Sequence, residues 1–585
     1  MQYMYFNWKK MRKFIGLLIV IVLGGISWVY AQEVTLKLVH TTDVHGNMFP
    51  YDFINQKEWG GSMVRVSSFV KEQRKMYGER LLLMDNGDIL QGQPTAYYYN
   101  FIDTLSVHAV AEIMNYMKYD VGNMGNHDIE AGHQVYDRWV RQCKHPVLGA
   151  NIMDVATGKP YLPPYVVFHR EGVKVAVLGL ITPSVPSWLP ENLWKGLRFD
   201  DMVTSAAHWV KVIQETENPD VLVGVFHAGK SGNLLGKVVE NPSHIIAEQI
   251  PGFDVVMIGH DHEAACQHIT NVAGKQVLLV NPANNANLVS DVTVKITKED
   301  GKVVSKKCEG KLVDINRYAP DEAFMNYFGK QFASVKEFVS RKIGYMASTI
   351  TTKDAYFGPS AFIDLIHRLQ LDISGAQVSF CAPLSFLAEI KEGNIRVSDM
   401  FNLYKYENML YVMELTGKEI KDYLEMSYAH WTHQMKNADD HLLLLRKESG
   451  YGERGKFQHP SYNFDSAAGI RYTVDVTQPE GKKLHIISMA DGTPFASDKV
   501  YRVALNSYRG NGGGDLLTKG AGIPKEKLAE RIVFSTDKDL RYYLMKYIEQ
   551  VKVLNPVVLT QWKFVPEEWV KDAAKRDYQS LFGDY

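Results

Sequence analysis

The chain has 585 residues, more than one hydrophobic core usually supports, so two or three domains are expected. Its composition, 46% hydrophobic and 22% charged, is that of an ordinary globular protein and excludes a largely disordered chain. The net charge of −1 gives no basic excess, which argues against a nucleic-acid polymer or an anionic membrane surface as the partner.

The first 31 residues have the pattern of an export signal. A basic segment from Lys9 to Lys13 precedes the apolar run FIGLLIVIVLGGISWV, and Ala31 stands before a polar start at Gln32. We therefore predict a signal peptide over residues 1–31 and an exported protein, periplasmic or at the cell surface. The alternative is an uncleaved membrane anchor, because the apolar run is only slightly short for a spanning helix. The four cysteines are scattered without CxxC spacing, which predicts no disulfide framework.

Five short apolar runs in the first half each end in a polar signature: KLVHTTDVHG, RLLLMDNGD, YDVGNMGNHD, VLVGVFHAG and VVMIGHDH. Read as buried strands, they deliver polar groups to the strand ends, the edge of an α/β sheet where ligands normally bind. These groups are Asp43, His45, Asp88, Asn126, His127, His227, His260 and His262. All are of metal-binding or proton-transferring type, so the set predicts a two-metal hydrolase.

The spacing of these residues suits a pair of cations. Two divalent ions about 3.5–4 Å apart need a bridging carboxylate, with imidazole and oxygen ligands on both sides. Asp43 and His45 are two residues apart at one strand exit, so both can reach one ion. Asp88 follows a different strand and is the best bridge, Asn126 offers a carbonyl oxygen, and the remaining histidines of the FHAG and GHDH runs complete the set.

His127 directly follows a proposed ligand, so it could protonate or stabilise a leaving oxygen without binding metal. Such a histidine needs a carboxylate to orient it. Asp128 and Glu130 are the two candidates, and the alternative for Glu130 is a solvated residue in the first turn of a helix.

Strand-like and helix-like runs alternate from Glu33 to about Tyr318, which favours a layered α/β domain over residues 32–318. Near its end, LVSDVTVKITKEDGKVVSKKCEGKLVDI alternates with a period of two and reads as a hairpin. Residues 319–346 follow as a predicted interdomain helix, amphipathic at helical spacing. Its apolar side consists of Phe324, Tyr327, Phe328, Phe332, Val335 and Phe338.

A second α/β region is predicted over residues 347–585. Thr416 and Glu419 form a capping box that marks a helix start, and YTVDVTQPEGKKLHIISM reads as another hairpin.

These runs carry a resemblance to a known family. TTDVHGN, DNGDILQG, GNHD, FHAG and GHDH, in this order, resemble the calcineurin-like metallophosphatase domain of the exported 5′-nucleotidase family. SFCAPLSF, LYKYENMLYVMELTGKEIKDYLE, PSYNFDSAAGIRYTVD and NSYRGNGGG are similar to the C-terminal domain of that family, so the likeness covers the chain after the signal. It is strongest to the 2′,3′-cyclic-nucleotide 2′-phosphodiesterase/3′-nucleotidases, because SFCAPLSF stands where true 5′-nucleotidases have Asn-Gly-Gly-Gly-Ile-Arg.

The resemblance implies a fold, a cofactor and a catalytic dyad. The fold is an N-terminal four-layer α/β/β/α sandwich, a linker helix and a C-terminal α/β nucleotide-binding domain. The cofactor is a pair of divalent ions, with zinc, manganese, cobalt and iron all compatible with mixed nitrogen and oxygen ligands. His127 would pair with Glu130. One ion would be held by Asp43, His45, Asp88 and His262, and the other by Asp88, Asn126, His227 and His260.

A nucleotide hydrolase also needs a surface for the base, and aromatic stacking supplies roughly 1–3 kcal/mol per base. By resemblance, two loop tyrosines sandwich the base, and the nearby glycines permit close backbone approach. The candidate substrate-binding residues are Tyr406, Asn408, Tyr508, Arg509, Gly512 and Gly513.

The expected function is hydrolysis of 2′,3′-cyclic nucleotides and 3′-nucleotides by in-line attack of metal-bound hydroxide. The reaction would take place in the cleft between the domains of a monomer. An alternative within the same fold is a 5′-nucleotidase or nucleotide-sugar hydrolase. An alternative of another class is a catalytically silent nucleotide-binding surface protein, against which the complete ligand set speaks.

Overall fold

The computed structural model describes residues 31–583, except residues 233, 236–237 and 447–455. The predicted signal peptide lies outside the described residues, apart from Ala31. Among the helices that are described, none combines the length and the apolar character needed to cross a membrane. The four cysteines are unpaired, as their scattered positions predict.

Two β-sheets form the centre of the N-terminal half. Its main strands are β1 (Gln32–Thr41), β2 (Leu81–Asp85), β3 (Tyr165–Arg170), β4 (Val173–Ile181), β5 (Val221–His227), β6 (Val255–Ile258), β7 (Ala265–Thr270), β8 (Gln276–Asn281), β9 (Leu288–Glu299) and β10 (Lys302–Asp314). One sheet has the order β10-β9-β1-β2 and the other β7-β8-β6-β5-β4-β3. Their facing sides share one apolar core, to which Leu36 and Leu38 contribute from the first sheet and Val223 and Val225 from the second.

Helices cover the outer face of each sheet. They are α1 (Met63–Tyr77), α2 (Pro94–Tyr97), α3 (Ala109–Met117), α4 (Asn126–Glu130), α5 (His133–Gln142), α6 (Met202–Thr216) and α7 (Ser243–Gln249). Helices α6 and α7 pack on the second sheet through residues such as Ala206 and Ile246, whereas α1, α3 and α5 pack on the first. The predicted four-layer α/β/β/α sandwich is therefore confirmed.

The strand directions place the polar signatures at one edge. Strands β1 and β2 run parallel in the first sheet, and β5 and β6 run parallel in the second. Their carboxyl ends therefore lead into the loops that carry Asp43, Asp88, His227 and His260. The YDVGNMGNHD run contributes only a two-residue strand, Gly122–Asn123, before α4 begins.

The hairpin predicted near the end of this half is present as β9 and β10, which pair antiparallel. The linker differs from the single helix predicted over residues 319–346. It consists of α8 (Glu322–Tyr327) and α9 (Gly329–Ser340), followed by strand β11 (Lys342–Met346). Lys342–Met346 forms a strand because it pairs with Gly393–Arg396 and Val553–Leu554, and Gly344 permits its close packing, since a Cβ there would lie 2.5 Å from the Ile548 side chain.

The predicted apolar side of the linker is largely buried. Phe324, Phe328 and Val335 pack into the core of the N-terminal half, and Phe332 and Phe338 lie against it. Tyr327 is the exception and is 58% exposed. The linker helices are therefore part of the N-terminal domain's core rather than a free spacer.

A mixed five-stranded sheet forms the centre of the C-terminal half. The strands of this half include β12 (Val378–Cys381), β13 (Gly393–Arg396), β14 (Met409–Thr416), β15 (Ser466–Ala468), β16 (Ile470–Asp475), β17 (Leu484–Met489), β18 (Val500–Asn506), β19 (Ile532–Asp539), β20 (Val553–Leu554) and β21 (Trp562–Val565). The central sheet has the order β15-β12-β18-β14-β19. Two three-stranded sheets flank it, with the orders β17-β16-β21 and β13-β11-β20.

The helices of this half are α10 (Ala361–Ser374), α11 (Val397–Leu403), α12 (Gly417–Trp431), α13 (Ser507–Gly510), α14 (Leu540–Val551) and α15 (Glu567–Phe582). The predicted capping box starts α12, since Thr416 Oγ1 accepts from Glu419 N at 3.2 Å and Glu419 Oε2 accepts from Thr416 N at 2.7 Å. The second predicted hairpin is also present, as the antiparallel pair β16 and β17.

The two halves touch near the strand-end edge. Tyr97, which ends α2 beyond the Asp88 loop, packs edge-on against Phe401 with ring centroids 5.4 Å apart. Lys525 Nζ donates to Ser187 Oγ at 2.5 Å, next to Trp188. The C-terminal half therefore closes over the edge that carries the candidate ligands.

Candidate metal centre

The structure brings the predicted ligands together in two groups. Asp43, His45 and His262 form one, and Asp88, His227 and His260 the other, with the ligand atoms of each group within 4.8 Å of one another. Asn126 joins the second group, because its Oδ1 lies 3.1 Å from His227 Nε2. All seven predicted metal residues are thus at the same sheet edge.

The backbone at this edge is held in an unusual conformation. Asp43, His45, Asp88, His260 and His262 all have φ between 48° and 73°, in the left-handed region that residues other than glycine rarely adopt. Each such residue costs on the order of 1–3 kcal/mol when the surrounding fold imposes it. Backbone strain at five candidate ligands is typical of functional sites, where it holds side chains in the positions that the chemistry needs.

The second group has the chemistry of a cation site. His227 Nδ1 lies 2.6 Å from the carbonyl oxygen of Asn86, which can only accept, so Nδ1 carries a proton. His227 Nε2 then points at two further acceptors, Asp88 Oδ2 and Asn126 Oδ1, each at 3.1 Å. Burial lowers the pKa of His227, but the Asp88 charge outweighs it and raises the pKa to about 9. The site therefore favours a positive charge, and a divalent ion would supply it to this donor set.

The first group fits an ion in the same way. His45 Nε2 lies 3.0 Å from His262 Nε2, which in turn lies 3.2 Å from Asp43 Oδ1. Burial and the charge of His262 lower the pKa of His45 to about 3, which keeps this imidazole in the neutral form that binds metals. Gln91 Oε1 accepts from His45 Nδ1 at 3.1 Å, which leaves Nε2 of this ring for an ion, and Asn284 Nδ2 contacts His262 Nδ1 at 3.0 Å.

His260 is oriented by two groups that the sequence did not reveal. Its Nε2 lies 3.0 Å from Glu240 Oε1, and its ring stacks on Trp188 with centroids 5.5 Å apart. A carboxylate behind a ligating histidine is a common arrangement around metals, since it fixes the ring and its tautomer. Glu240 therefore leaves the Nδ1 of His260 for the ion.

Asp128 holds the Asp88 loop in place. Its two carboxylate oxygens accept from the backbone N–H groups of Asp88, Ile89 and Leu90, each at 2.9 Å, and of Gly125 at 2.8 Å. Gly125 permits the close approach of the two loops, because a Cβ there would lie 2.3 Å from Asp88 N and Oδ1. Asp128 is therefore bound to backbone rather than to His127.

His127 pairs with the other candidate carboxylate. Its Nδ1 lies 2.5 Å from Glu130 Oε2, and its backbone N–H donates to Asp88 Oδ1 at 2.8 Å. Burial lowers the pKa of His127, but the charges of Asp88 and Glu130 outweigh it and raise the pKa to about 10. The ring lies beside the first group, 5.6 Å from the His45 ring. With Nδ1 directed at Glu130, Nε2 is the atom that can serve a substrate.

The predicted base-binding tyrosines act electrostatically on residues of this centre. Tyr406 adds to the effect of Asp88 and Glu130 that raises the pKa of His127, and burial, with smaller contributions from Tyr406 and Glu240, raises the pKa of Tyr508. Asn408 is buried two residues after Tyr406. Tyr462 packs edge-on to Tyr508 at 6.3 Å. It lies in the PSYNFDSAAG run, which the family resemblance marks without singling out this ring.

The position of Arg509 differs from its predicted role in substrate binding. Its guanidinium is buried against Asp465, with Nε 2.7 Å from Oδ2, and it also donates to Asn463 Oδ1, Gly513 O and Tyr462 O. These contacts use its donors, so Arg509 holds the loop and does not face a substrate.

The predicted glycines belong to the same loop. A Cβ on Gly513 would lie 2.5 Å from the Tyr508 ring, and Gly512 has a φ of +95°. Both positions therefore let the loop pack under Tyr508, a role in positioning the ring.

Comparisons with known proteins agree with this description. The family model for calcineurin-like phosphoesterases matches residues 36–264, and that for the 5′-nucleotidase C-terminal domain matches residues 339–519. The chain is 26% identical over 605 residues to the 2′,3′-cyclic-nucleotide 2′-phosphodiesterase/3′-nucleotidase of Salmonella typhimurium, a match that covers 92% of this chain and 90% of that protein.

A second relative is longer. The chain is 26% identical over 595 residues to the trifunctional nucleotide phosphoesterase protein YfkN of Bacillus subtilis, and the match covers 92% of this chain but only 39% of that protein. Among solved structures, a putative 5′-nucleotidase from Staphylococcus aureus has the same fold, with a TM-score of 0.75 at 20% identity. That match covers 91% of this chain and all of the other.

Proposed function

A calcineurin-like phosphoesterase domain joined to a 5′-nucleotidase C-terminal domain makes this chain a nucleotide phosphoesterase of the metallophosphatase family, and from that premise we propose that it hydrolyses 2′,3′-cyclic nucleotides and 3′-nucleotides. The relatives of Salmonella typhimurium, Yersinia enterocolitica and Haemophilus influenzae that bear the name of this activity align over 89–92% of the chain. Because these alignments extend over both domains, they support the proposal for the two domains together.

One observation carries the proposal. His227 Nε2 lies 3.1 Å from both Asp88 Oδ2 and Asn126 Oδ1, while Nδ1 directs its proton away to Asn86 O. A divalent ion between these three atoms would bind all of them at once. Beside it stand two tyrosine rings of the other domain, which suit a nucleobase.

The roles of the chain's own residues follow from this geometry. Divalent ions bound here would neutralise the charge of a phosphoester and activate water. Glu130 fixes the ring of His127 so that Nε2–H can donate to a phosphate oxygen or to the leaving oxygen. Tyr406 and Tyr508 would hold the base between them. Closure of the C-terminal half over the edge would keep bulk water out.

A substrate panel tests the proposal. The kcat/KM values for 2′,3′-cyclic AMP, 3′-AMP, 5′-AMP and a nucleotide sugar are measured with defined added metals, and we expect the first two to dominate. Dominance of 5′-AMP or of the nucleotide sugar would replace the proposed activity with the alternative of the same fold. No turnover by the metal-loaded protein would favour a silent nucleotide-binding protein.

A matched pair of variants ties any activity to the site. Asp88→Asn should lower kcat/KM by roughly 10³-fold or more, because the best bridging carboxylate is lost. Asp120→Asn is the control, since this carboxylate accepts from Leu83 N in the same domain and lies outside both ligand groups. Equal activity of the two variants would contradict the assignment.

We also propose that the protein is exported. The basic and apolar segments before Gln32 support this, although they lie outside the described residues. Mass determination of the mature protein tests it. A mature N-terminus at Gln32 is the expected result, and an intact N-terminal segment in a membrane fraction would favour the anchor instead.

A further inference from the structure

The side chain of Arg541 donates three hydrogen bonds to the segment that carries Tyr406. Its side chain is fully buried, and its donors reach the residues on both sides of that tyrosine. Nε donates to Tyr404 O at 3.1 Å, Nη2 to Lys405 O at 2.7 Å, and Nη1 to Glu407 Oε1 at 2.8 Å. One planar guanidinium thus fixes two carbonyls before Tyr406 and one carboxylate after it.

The same guanidinium touches the other domain. It lies 4.9 Å from the centre of the ring of Tyr97, in the N-terminal half, and 4.2 Å from the centre of the Phe401 ring of its own half. Tyr97 belongs to α2, at the end of the loop that begins with Asp88, and burial together with the nearby Asp539 charge raises its pKa. Asp539 is the N-cap of α14, the helix that begins with Leu540 and Arg541. The start of α14 therefore meets both the Tyr406 segment and the metal domain.

We propose that Arg541 is a positioning residue for nucleobase binding, which holds Tyr406 at the metal centre and ties this ring to the domain contact at Tyr97. The proposal rests on the proposed function, because it assumes that Tyr406 stacks on a base. Because the Arg541 guanidinium fixes the backbone on both sides of Tyr406, it can affect base binding through the position of this ring without contacting the substrate. Its effect should therefore depend on Tyr406 and on the presence of a base.

The test is a double-mutant cycle with two substrates. Arg541→Gln and Tyr406→Ala are made singly and together, and kcat/KM is measured for 2′,3′-cyclic AMP and for bis(p-nitrophenyl) phosphate, which has no base. Arg541→Gln should lower the ratio of the first value to the second by about ten-fold, within the range that one base stack supplies. In the Tyr406→Ala background the same change should lower that ratio no further.

A purely structural role would give a different result, because partial unfolding lowers both values by the same factor. An unchanged ratio, or an equal fall in both Tyr406 backgrounds, would overturn the proposal. Arg541→Lys serves as the second variant if Arg541→Gln does not fold. It keeps the charge beside Glu407 but cannot span all three acceptors, so the ratio should still fall, and a wild-type ratio would overturn the proposal.

Arg531→Ala is the matched control. This arginine also donates to a carbonyl and a carboxylate, Glu414 O at 3.3 Å and Glu419 Oε1 at 3.2 Å, but these lie at the other end of β14 from Tyr406. Its substrate ratio should equal that of the wild type. Absence of nucleotide turnover by the wild type would refute the proposed function. If the wild type is active but the effects of Arg541→Gln and Tyr406→Ala on the substrate ratio are additive, only the role of Arg541 is refuted.

Discussion

Asp128→Asn is the most informative change outside the ligands themselves. Each oxygen of this carboxylate accepts two backbone N–H groups, Oδ1 from Ile89 and Leu90 and Oδ2 from Asp88 and Gly125. The amide of asparagine has the same shape but replaces one oxygen with a donor. Two buried N–H groups then face an NH2 group, and the Asp88 loop must move to satisfy them.

The size of the effect follows from those two lost acceptors. Leaving a buried donor unsatisfied costs about 1–3 kcal/mol, so the free energy of unfolding should fall by roughly 2–6 kcal/mol. If the Asp88 loop moves to satisfy these N–H groups, the loss of stability is smaller, but the movement displaces the Asp88 carboxylate from its position in the site. The variant should therefore lose metal and activity as well as stability, although Asp128 does not contact the ligand atoms.

The assay combines thermal unfolding, metal content after dialysis, and kcat/KM. Asp120→Asn is the control, because its carboxylate accepts only one strand N–H, that of Leu83 at 2.9 Å. A variant Asp128→Asn with a full complement of metal and kcat/KM within two-fold of the wild type would refute the reasoning.

Three further changes test separate parts of the account. Glu130→Gln should lower kcat by about 10²-fold, because His127 loses its orienting partner and one of the two charges, with that of Asp88, that raise its pKa; equal activity would remove Glu130 from the dyad. Tyr508→Ala should raise KM for nucleotides by about ten-fold, with no such rise for p-nitrophenyl phosphate expected; an unchanged KM would exclude this ring from base binding. Burial raises the pKa of Asp364 to about 6, so this carboxyl binds more protons in the folded than in the unfolded chain between about pH 4 and 6, and its own contribution to the free energy of unfolding should fall as pH rises through that range. Urea unfolding at pH 4.5 and 6.5, compared between the wild type and Asp364→Asn, isolates this contribution; an identical pH dependence of the two proteins would contradict the shift.

The layered fold and the collection of ligands could be predicted because both follow from local pattern. Buried strands read as apolar runs, and parallel strands deliver the residues after them to one edge. The hairpin over residues 288–314 and the capping box at Thr416 are equally local. The linker over residues 319–346 was harder, because Lys342–Met346 forms a strand only through partners more than 45 residues away.

The groups that orient His260 could not be predicted, since they reach the site from loops without a motif. Glu240 and Trp188 approach His260 from two different segments, and neither has a spacing that indicates it. The choice between Asp128 and Glu130 likewise depended on the direction of side chains in a five-residue helix. Arg509 resembled a ligand residue in sequence, but its partner Asp465 is 44 positions away.

Metal content most directly tests the claim that two cations share Asp88. Elemental analysis of purified protein, dialysed after loading, should give about two ions per chain for the wild type, about one for Asp43→Asn, and fewer than one for Asp88→Asn. Fewer than one ion in the wild type, or two ions retained by Asp88→Asn, would contradict the shared site.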